Sequence, residues 1–164
     1  MKKPSIIRAL IKTMRPKQWA KNGVLFAALV FDRQLTNLLS FERTFAGFVI
    51  FCLLSSAVYI INDILDIESD RAHPEKKNRP IPSGALPVSI AIVFAILILL
   101  VAFPAAYLLA PSFALICAFY FVMNLAYSKW MKHVPLLDVL IIAAGFVLRV
   151  AAGVTLIQVE RFSP

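Results

Sequence analysis

The sequence predicts an all-α fold: a polytopic transmembrane helical bundle of about five spans, preceded by an amphipathic interfacial helix, in a single membrane domain of residues 1–164. Three observations predict it. Of the 164 residues 60% are hydrophobic, against roughly 45–50% in a soluble domain, and the mean hydropathy is +0.81. Several apolar runs approach or exceed the roughly 20 residues that a helix needs to cross a bilayer. Basic residues collect on alternate connections between those runs.

The interfacial helix is expected within residues 1–21. Ile6, Ile7, Leu10, Ile11 and Met14 form one helical stripe, with Lys2, Lys3, Arg8 and Lys12 away from it. Its apolar residues are periodic rather than continuous, so it is not a secretory signal. The first span is expected at about 22–39, where Asp32 and Arg33 interrupt it, and the second at 44–61. The third, about 85–109, is long enough to tilt, and Pro104 is expected to kink it or end its core. The fourth is expected at about 112–127 and the fifth at about 136–157.

Seven of the 17 Lys and Arg precede the first span. Four more (Arg71, Lys76, Lys77, Arg79) follow the second span, and Lys129 and Lys132 follow the fourth. The positive-inside rule makes that face cytosolic, so the amino terminus and an acidic loop at 62–84 are expected inside and the carboxyl end outside. Topology and attraction to anionic lipid heads account for the net charge of +8 without nucleic acid. Trp19 and Trp130 fall where an interfacial aromatic belt is expected. Cys52 and Cys117 lie in apolar runs with no partner at metal-ligand spacing and read as small core residues; His73 and His133 lie in polar connections.

Five of the nine acidic residues crowd into Asp63, Asp66, Glu68, Asp70 and Glu75. On a continuous helix Asp63, Asp66 and Asp70 are spaced i, i+3 and i+7, which stacks three carboxylates on one face. Repulsion of that kind is offset by an oxygen-loving cation such as Mg2+, which takes one or two carboxylates, keeps waters and completes its shell with substrate phosphate. These three are the candidate catalytic and metal-holding residues. Asn62 adds a neutral oxygen, and Arg71, Lys76, Lys77 and Arg79 are placed to grip a diphosphate as it leaves. A solvated loop of mixed charge is the competing reading.

The run Asn62-Asp63-Ile-Leu-Asp66-Ile-Glu-Ser-Asp70-Arg71, continuing from His73-Pro74 through Lys76, Lys77 and Arg79 to Pro80-Ile-Pro-Ser-Gly84, closely resembles the first aspartate-rich motif of the UbiA superfamily of membrane prenyltransferases. Within it, Arg15-Pro16-Lys17-Gln18-Trp19-Ala-Lys21-Asn22, the 73–80 segment, and Tyr127-Ser128 through Lys132 to Asp138 and Arg149 look most like the decaprenyl-phosphate phosphoribosyltransferases. The resemblance implies a helical bundle in a prokaryotic cell membrane, with a central cavity open to the cytosol and the lipid. It implies an Mg2+-dependent transfer of phosphoribose from 5-phosphoribosyl diphosphate to a polyprenyl phosphate. It also implies that Asp63, Asp66 and Asp70 hold metal and donor, with Lys76 and Arg79 on phosphate. Family members continue through further helices and a second cytosolic motif, so the chain looks like an amino-terminal portion.

Asp138 lies inside the fifth span, where a charge is a functional candidate by default, and shares a helix face with Gly145 and Arg149. Arg149 stands for a substrate phosphate, for a carboxylate from the further helices that family members carry, or for helix carbonyls. Lys17 and Lys21 stand for an anionic lipid head or for topology. Tyr127 and Lys132 stand for the mouth of the cavity or for interfacial anchoring. Two rivals to phosphoribosyl transfer remain: a prenyltransferase acting from an isoprenoid diphosphate on an aromatic or other small acceptor, and a non-catalytic membrane protein.

Overall fold

The computed structural model of the chain describes residues 5–131 and 137–157, with the backbone alone at Trp130 and Met131. Lys2, Lys3, Lys132, His133 and Arg161 lie outside the described residues, as does the Trp130 side chain. What is described is helical and carries four helices long and apolar enough to cross a membrane.

Helix α1 (Ile6–Met14) starts where the Ser5 hydroxyl accepts the Arg8 N–H at 3.3 Å. It ends at Arg15, whose backbone is left-handed (φ 54°), because Pro16 cannot continue the hydrogen-bond ladder. The expected interfacial helix therefore stops at Met14. Ala9 and Thr13 pack into the bundle, while Ile6, Ile7 and Ile11 face outward.

The first expected span is built differently from a membrane α-helix. Residues Pro16–Phe26 form a 3-10 helix, followed by the five-residue α2 (Ala27–Phe31) and a turn at Arg33 (φ 56°). A 3-10 helix of more than three or four residues is uncommon, and this one is held by its neighbours. Trp19 donates to Ser56 Oγ (3.0 Å), Asn22 to Ser55 Oγ (3.2 Å), and Phe26 packs near Phe48 and Phe41. That register runs antiparallel along the long helix Leu38–Leu65 (α3). At about 2.0 Å per 3-10 residue and 1.5 Å per α residue, the composite spans roughly 30 Å. Trp19 thus points into the bundle instead of a belt.

Helix α3 (Leu38–Leu65), capped by the Asn37 side chain on the Ser40 N–H, is the central mast. Its apolar window is 61% buried, against 22% for each of the other three long helices. Helix α5 (Val88–Leu109) offers α3 a stripe of small residues, Ala91, Ala95, Ala102 and Ala106, that lets the two backbones approach closely. Its opposite face, including Val93, Leu97, Leu100 and Leu108, is exposed as a lipid-facing helix requires. The helix continues five residues beyond Pro104, so Pro104 does not end it.

Helix α6 (Pro111–Ala126) leads into a π-helical segment, Tyr127–Met131, and α7 (Leu137–Val154) closes the bundle. Phe51 of α3 sits between Phe113 and Tyr120 of α6, with centroids 6.3 and 4.8 Å away. A Cβ on Gly153 would collide with the Leu25 carbonyl oxygen, so α7 and the 3-10 helix meet backbone to backbone. At the end of the bundle remote from Asp63, Arg43 donates to the Leu109 and Leu156 carbonyls (2.8 and 3.1 Å), satisfying helix-end acceptors.

Candidate active site

Asn62 and Asp63 occupy the last turn of α3, which ends at Leu65. The expected continuous ladder of carboxylates is interrupted. Asp66 is the joint (φ −99°, ψ 11°), and α4 (Ile67–Ala72) starts afresh after it. The new direction turns Asp70 inward. Asp63 and Asp70 are each 2% exposed, and Arg79, arriving from the following loop, donates to Asp63 Oδ1 at 3.2 Å and to Asp70 Oδ2 at 2.7 Å. Arg15 donates to the same Asp63 oxygen, Oδ1, at 2.5 Å, with its guanidinium 4.8 Å from the Tyr59 ring centroid. The site is thus a chain of ion pairs, Arg15 to Asp63 to Arg79 to Asp70, with Asp66 half-buried at the joint. Among the described residues no three His, Cys, Asp or Glu side chains converge on one point.

The loop that delivers Arg79 is built in, not loose. Ile81 and Leu86 are buried, Leu86 N–H donates to the Pro80 carbonyl (2.8 Å), and Gly84 takes a positive φ of 75°. Arg71 is occupied with this frame: its Nε donates to the Pro82 carbonyl (3.2 Å) and its Nη1 to Glu68 (3.1 Å). Lys76 and Lys77 stand exposed on a single 3-10 turn. Of the four basic residues expected on a diphosphate, one therefore counters the carboxylates, one braces the loop, and two face outward.

A cavity of about 260 Å3 opens beside this cluster. It gathers Lys21, Asn62, Tyr127, Asp138 and Arg149, all singled out from the sequence. Tyr127 donates its hydroxyl to Asp138 at 2.6 Å, which supplies the intramembrane carboxylate with a partner. Asn62 accepts from Ser128 Oγ, tying the end of α3 to the π-helical segment. Arg149 is 7% exposed and donates to Asn22 Oδ1 (2.8 Å), Tyr120 Oη (2.9 Å) and the Gly145 carbonyl (2.7 Å). Lys17 is exposed on the 3-10 helix and borders a separate groove with Arg8 and Lys12.

Arg15 and Asn22 stand in the sequence only within the family-like 15–22 stretch, with no site role, and Tyr59 and Tyr120 were not singled out at all. Arg15 lies 48 residues from Asp63 and Asn22 lies 127 from Arg149; no spacing rule reaches so far. The one local signal was Arg15 before Pro16, which marks a break without saying where the guanidinium goes.

The donor chemistry suits a hard divalent cation. Asp63, Asp66, Asp70 and Asn62 offer only oxygen, the two buried carboxylates already face one positive group, and Mg2+ asks for one or two carboxylates with the rest of its shell from water and phosphate.

A family model described as the UbiA prenyltransferase family matches residues 23–162. The decaprenyl-phosphate phosphoribosyltransferase of Corynebacterium glutamicum is 37% identical over 148 residues, 88% of this chain and 45% of that protein. That of Mycolicibacterium smegmatis is 35% identical over 155 residues, 91% of this chain and 48% of that protein. The chain spans about half the length of these curated relatives. The solved structure of a UbiA homolog from Archaeoglobus fulgidus bound to DMAPP and Mg2+ superposes with a TM-score of 0.77 at 23% identity, covering 94% of this chain and 56% of that one.

Proposed function

The chain belongs to the UbiA prenyltransferase family, an integral membrane family to which its four long apolar helices conform, and on that premise we propose that it carries the donor site of an Mg2+-dependent membrane transferase. The donor is 5-phosphoribosyl diphosphate and the acceptor a polyprenyl phosphate. The observation that carries this reading is the pair of buried carboxylates, Asp63 and Asp70, facing one arginine beside a cavity of mixed polar and apolar lining. Identity of 35–37% to two decaprenyl-phosphate phosphoribosyltransferases supports this choice of donor and acceptor.

Asp63, Asp66 and Asp70 are the residues that would hold Mg2+, which when bound neutralises diphosphate charge and makes it a better leaving group. Arg79 and Arg15, freed from the carboxylates, and Lys76 and Lys77 take up the outer phosphate oxygens. Asn62 orients the donor at the cavity edge. The acceptor's phosphate oxygen attacks the ribose anomeric carbon, the bond from that carbon to the diphosphate oxygen breaks, and diphosphate departs with the electron pair. The acceptor is already anionic, so no protein nucleophile is required, and positioning and charge stabilisation supply the rate. The positive-inside pattern supports placing the amino terminus and the 62–84 loop on the cytosolic side, where a water-soluble diphosphate is met.

Purified protein carrying Asp63→Asn or Asp70→Asn, assayed with Mg2+ and both substrates, is expected to lose at least about 100-fold in turnover. Undiminished turnover refutes the assignment. A second reading, prenyl transfer from an isoprenoid diphosphate, is favoured by the DMAPP bound in the archaeal homolog. Competition between the two donor types for the same purified protein separates them.

A further inference from the structure

Helix α1 and the start of the 3-10 helix form an elbow on the surface of the bundle. The bend is at Arg15, whose backbone is left-handed, and both arms meet one residue of α3: Ser56 Oγ accepts from Trp19 Nε1 at 3.0 Å and lies 3.2 Å from the Met14 carbonyl oxygen. Ala9 and Thr13 are buried against the bundle, which fixes how the α1 arm is rotated. A groove of about 680 Å3 runs along the elbow, away from the cavity beside Asn62. Ile11 and Pro16 give it an apolar lining, and it carries Arg8 and Lys12, one turn apart on α1, together with Lys17 of the other arm.

Two observations set this groove apart from an ordinary solvated surface. Ile7 and Ile11, one turn apart, are 70% and 51% exposed beside the cations. Open isoleucines of that kind, next to basic residues, are what an interfacial helix presents to the bilayer that covers it. Among the described residues, moreover, no carboxylate is paired with Arg8, Lys12 or Lys17. Like charges one turn apart on a helix repel, and an anion shared between them removes the cost. Long basic side chains at a membrane surface lay their stems on apolar groups and carry their charge to the depth of the lipid head. Cations around an apolar channel complement a phosphodiester joined to an acyl chain. A small soluble anion would leave Ile11 and Pro16 uncovered.

We propose that the elbow is a seat for one anionic phospholipid of the leaflet in which α1 lies. Lys12 and Lys17 meet the phosphodiester from the two arms, Arg8 adds a third positive group, and an acyl chain covers Ile11. Arg15 also borders the groove, but its guanidinium is committed to Asp63, so it belongs to the frame and not to the ligands. The occupant is a resident lipid and not a reactant, and the seat does not depend on which transfer the chain serves.

The full chain, delipidated in a nonionic detergent, tests it by native mass spectrometry with phosphatidylglycerol and phosphatidylcholine of identical acyl chains. Phosphatidylglycerol is expected to form one tight adduct, on the order of tenfold tighter than phosphatidylcholine, because each cation near the head strengthens binding several-fold. Lys12→Gln combined with Lys17→Gln is expected to remove most of that preference. Lys76→Gln combined with Lys77→Gln takes the same charge from two other exposed residues and is expected to leave the preference within about twofold. All four lysines are exposed, so neither pair of substitutions threatens the fold. Equal binding of the two lipids overturns the seat, and so do equal losses in the two double variants, which would reduce it to diffuse attraction. Displacement of the adduct by inorganic phosphate assigns the groove to a soluble anion, and displacement by equimolar polyprenyl phosphate assigns it to a reactant. Either result overturns the resident phospholipid.

Discussion

Arg79 touches both buried carboxylates, so removing it leaves two negative groups facing each other with only Arg15 to counter Asp63. Breaking a fully buried ion pair costs roughly 3–5 kcal/mol; the Arg79 side chain is 31% exposed, and about 2 kcal/mol is expected for Arg79→Ala. Millimolar Mg2+ should restore part of that loss, and more in the variant than in the wild type, when thermal unfolding is followed in detergent. A variant indifferent to Mg2+ would show that the carboxylates do not hold the ion. Asp63 and Asp70 were legible because acidic residues crowd at one span end. That Arg79 turns back to bridge them was not, since a guanidinium in a basic loop looks the same whether it faces water or turns back.

At the scale of elements, the 3-10 helix against α7 is the contact most sensitive to volume. Gly153→Ala drives a methyl into the Leu25 carbonyl and is expected to cost about 1–3 kcal/mol. Gly23→Ala, with open space around its Cβ, should stay within about 0.5 kcal/mol. Comparing the two unfolding midpoints checks both; equal losses would mean that helix propensity outweighs the close approach. The four long helices were legible from apolar length and charge placement. The break at Asp66 was not, because Leu65-Asp66-Ile67 contains no Gly or Pro to mark it. The irregularity of the first crossing had signals in Pro16, Gly23 and Asp32-Arg33, but its depth in the bundle comes from Asn22 and Leu25 packing, which no local pattern reveals.

For the whole molecule, the proposed orientation makes two positions reactive from opposite sides. In a background with Cys52 and Cys117 replaced, Thr36→Cys in the turn before α3 should react with a membrane-impermeant maleimide in intact cells. Lys77→Cys should react only after permeabilisation. The reverse pattern would invert the topology and place the carboxylates away from any cytosolic donor. The bundle's membrane character followed from composition, apolar run length and the placement of basic residues. The cavity did not, because it is made by Lys21, Asn62, Tyr127, Asp138 and Arg149 from four separate stretches of chain.

Helix α3 carries the last consequence. Its 28 residues measure about 42 Å, whereas the uncharged stretch between Arg43 and Asn62 covers only about 27 Å, close to the thickness of the oily layer. The mast is therefore longer than that layer, and Asp63 lies just beyond the end of its uncharged stretch. On the proposed transfer, a sugar diphosphate arriving from water would be gripped at that polar end of the mast without being dehydrated by hydrocarbon, and the lipid reactant would bring its charged end to it.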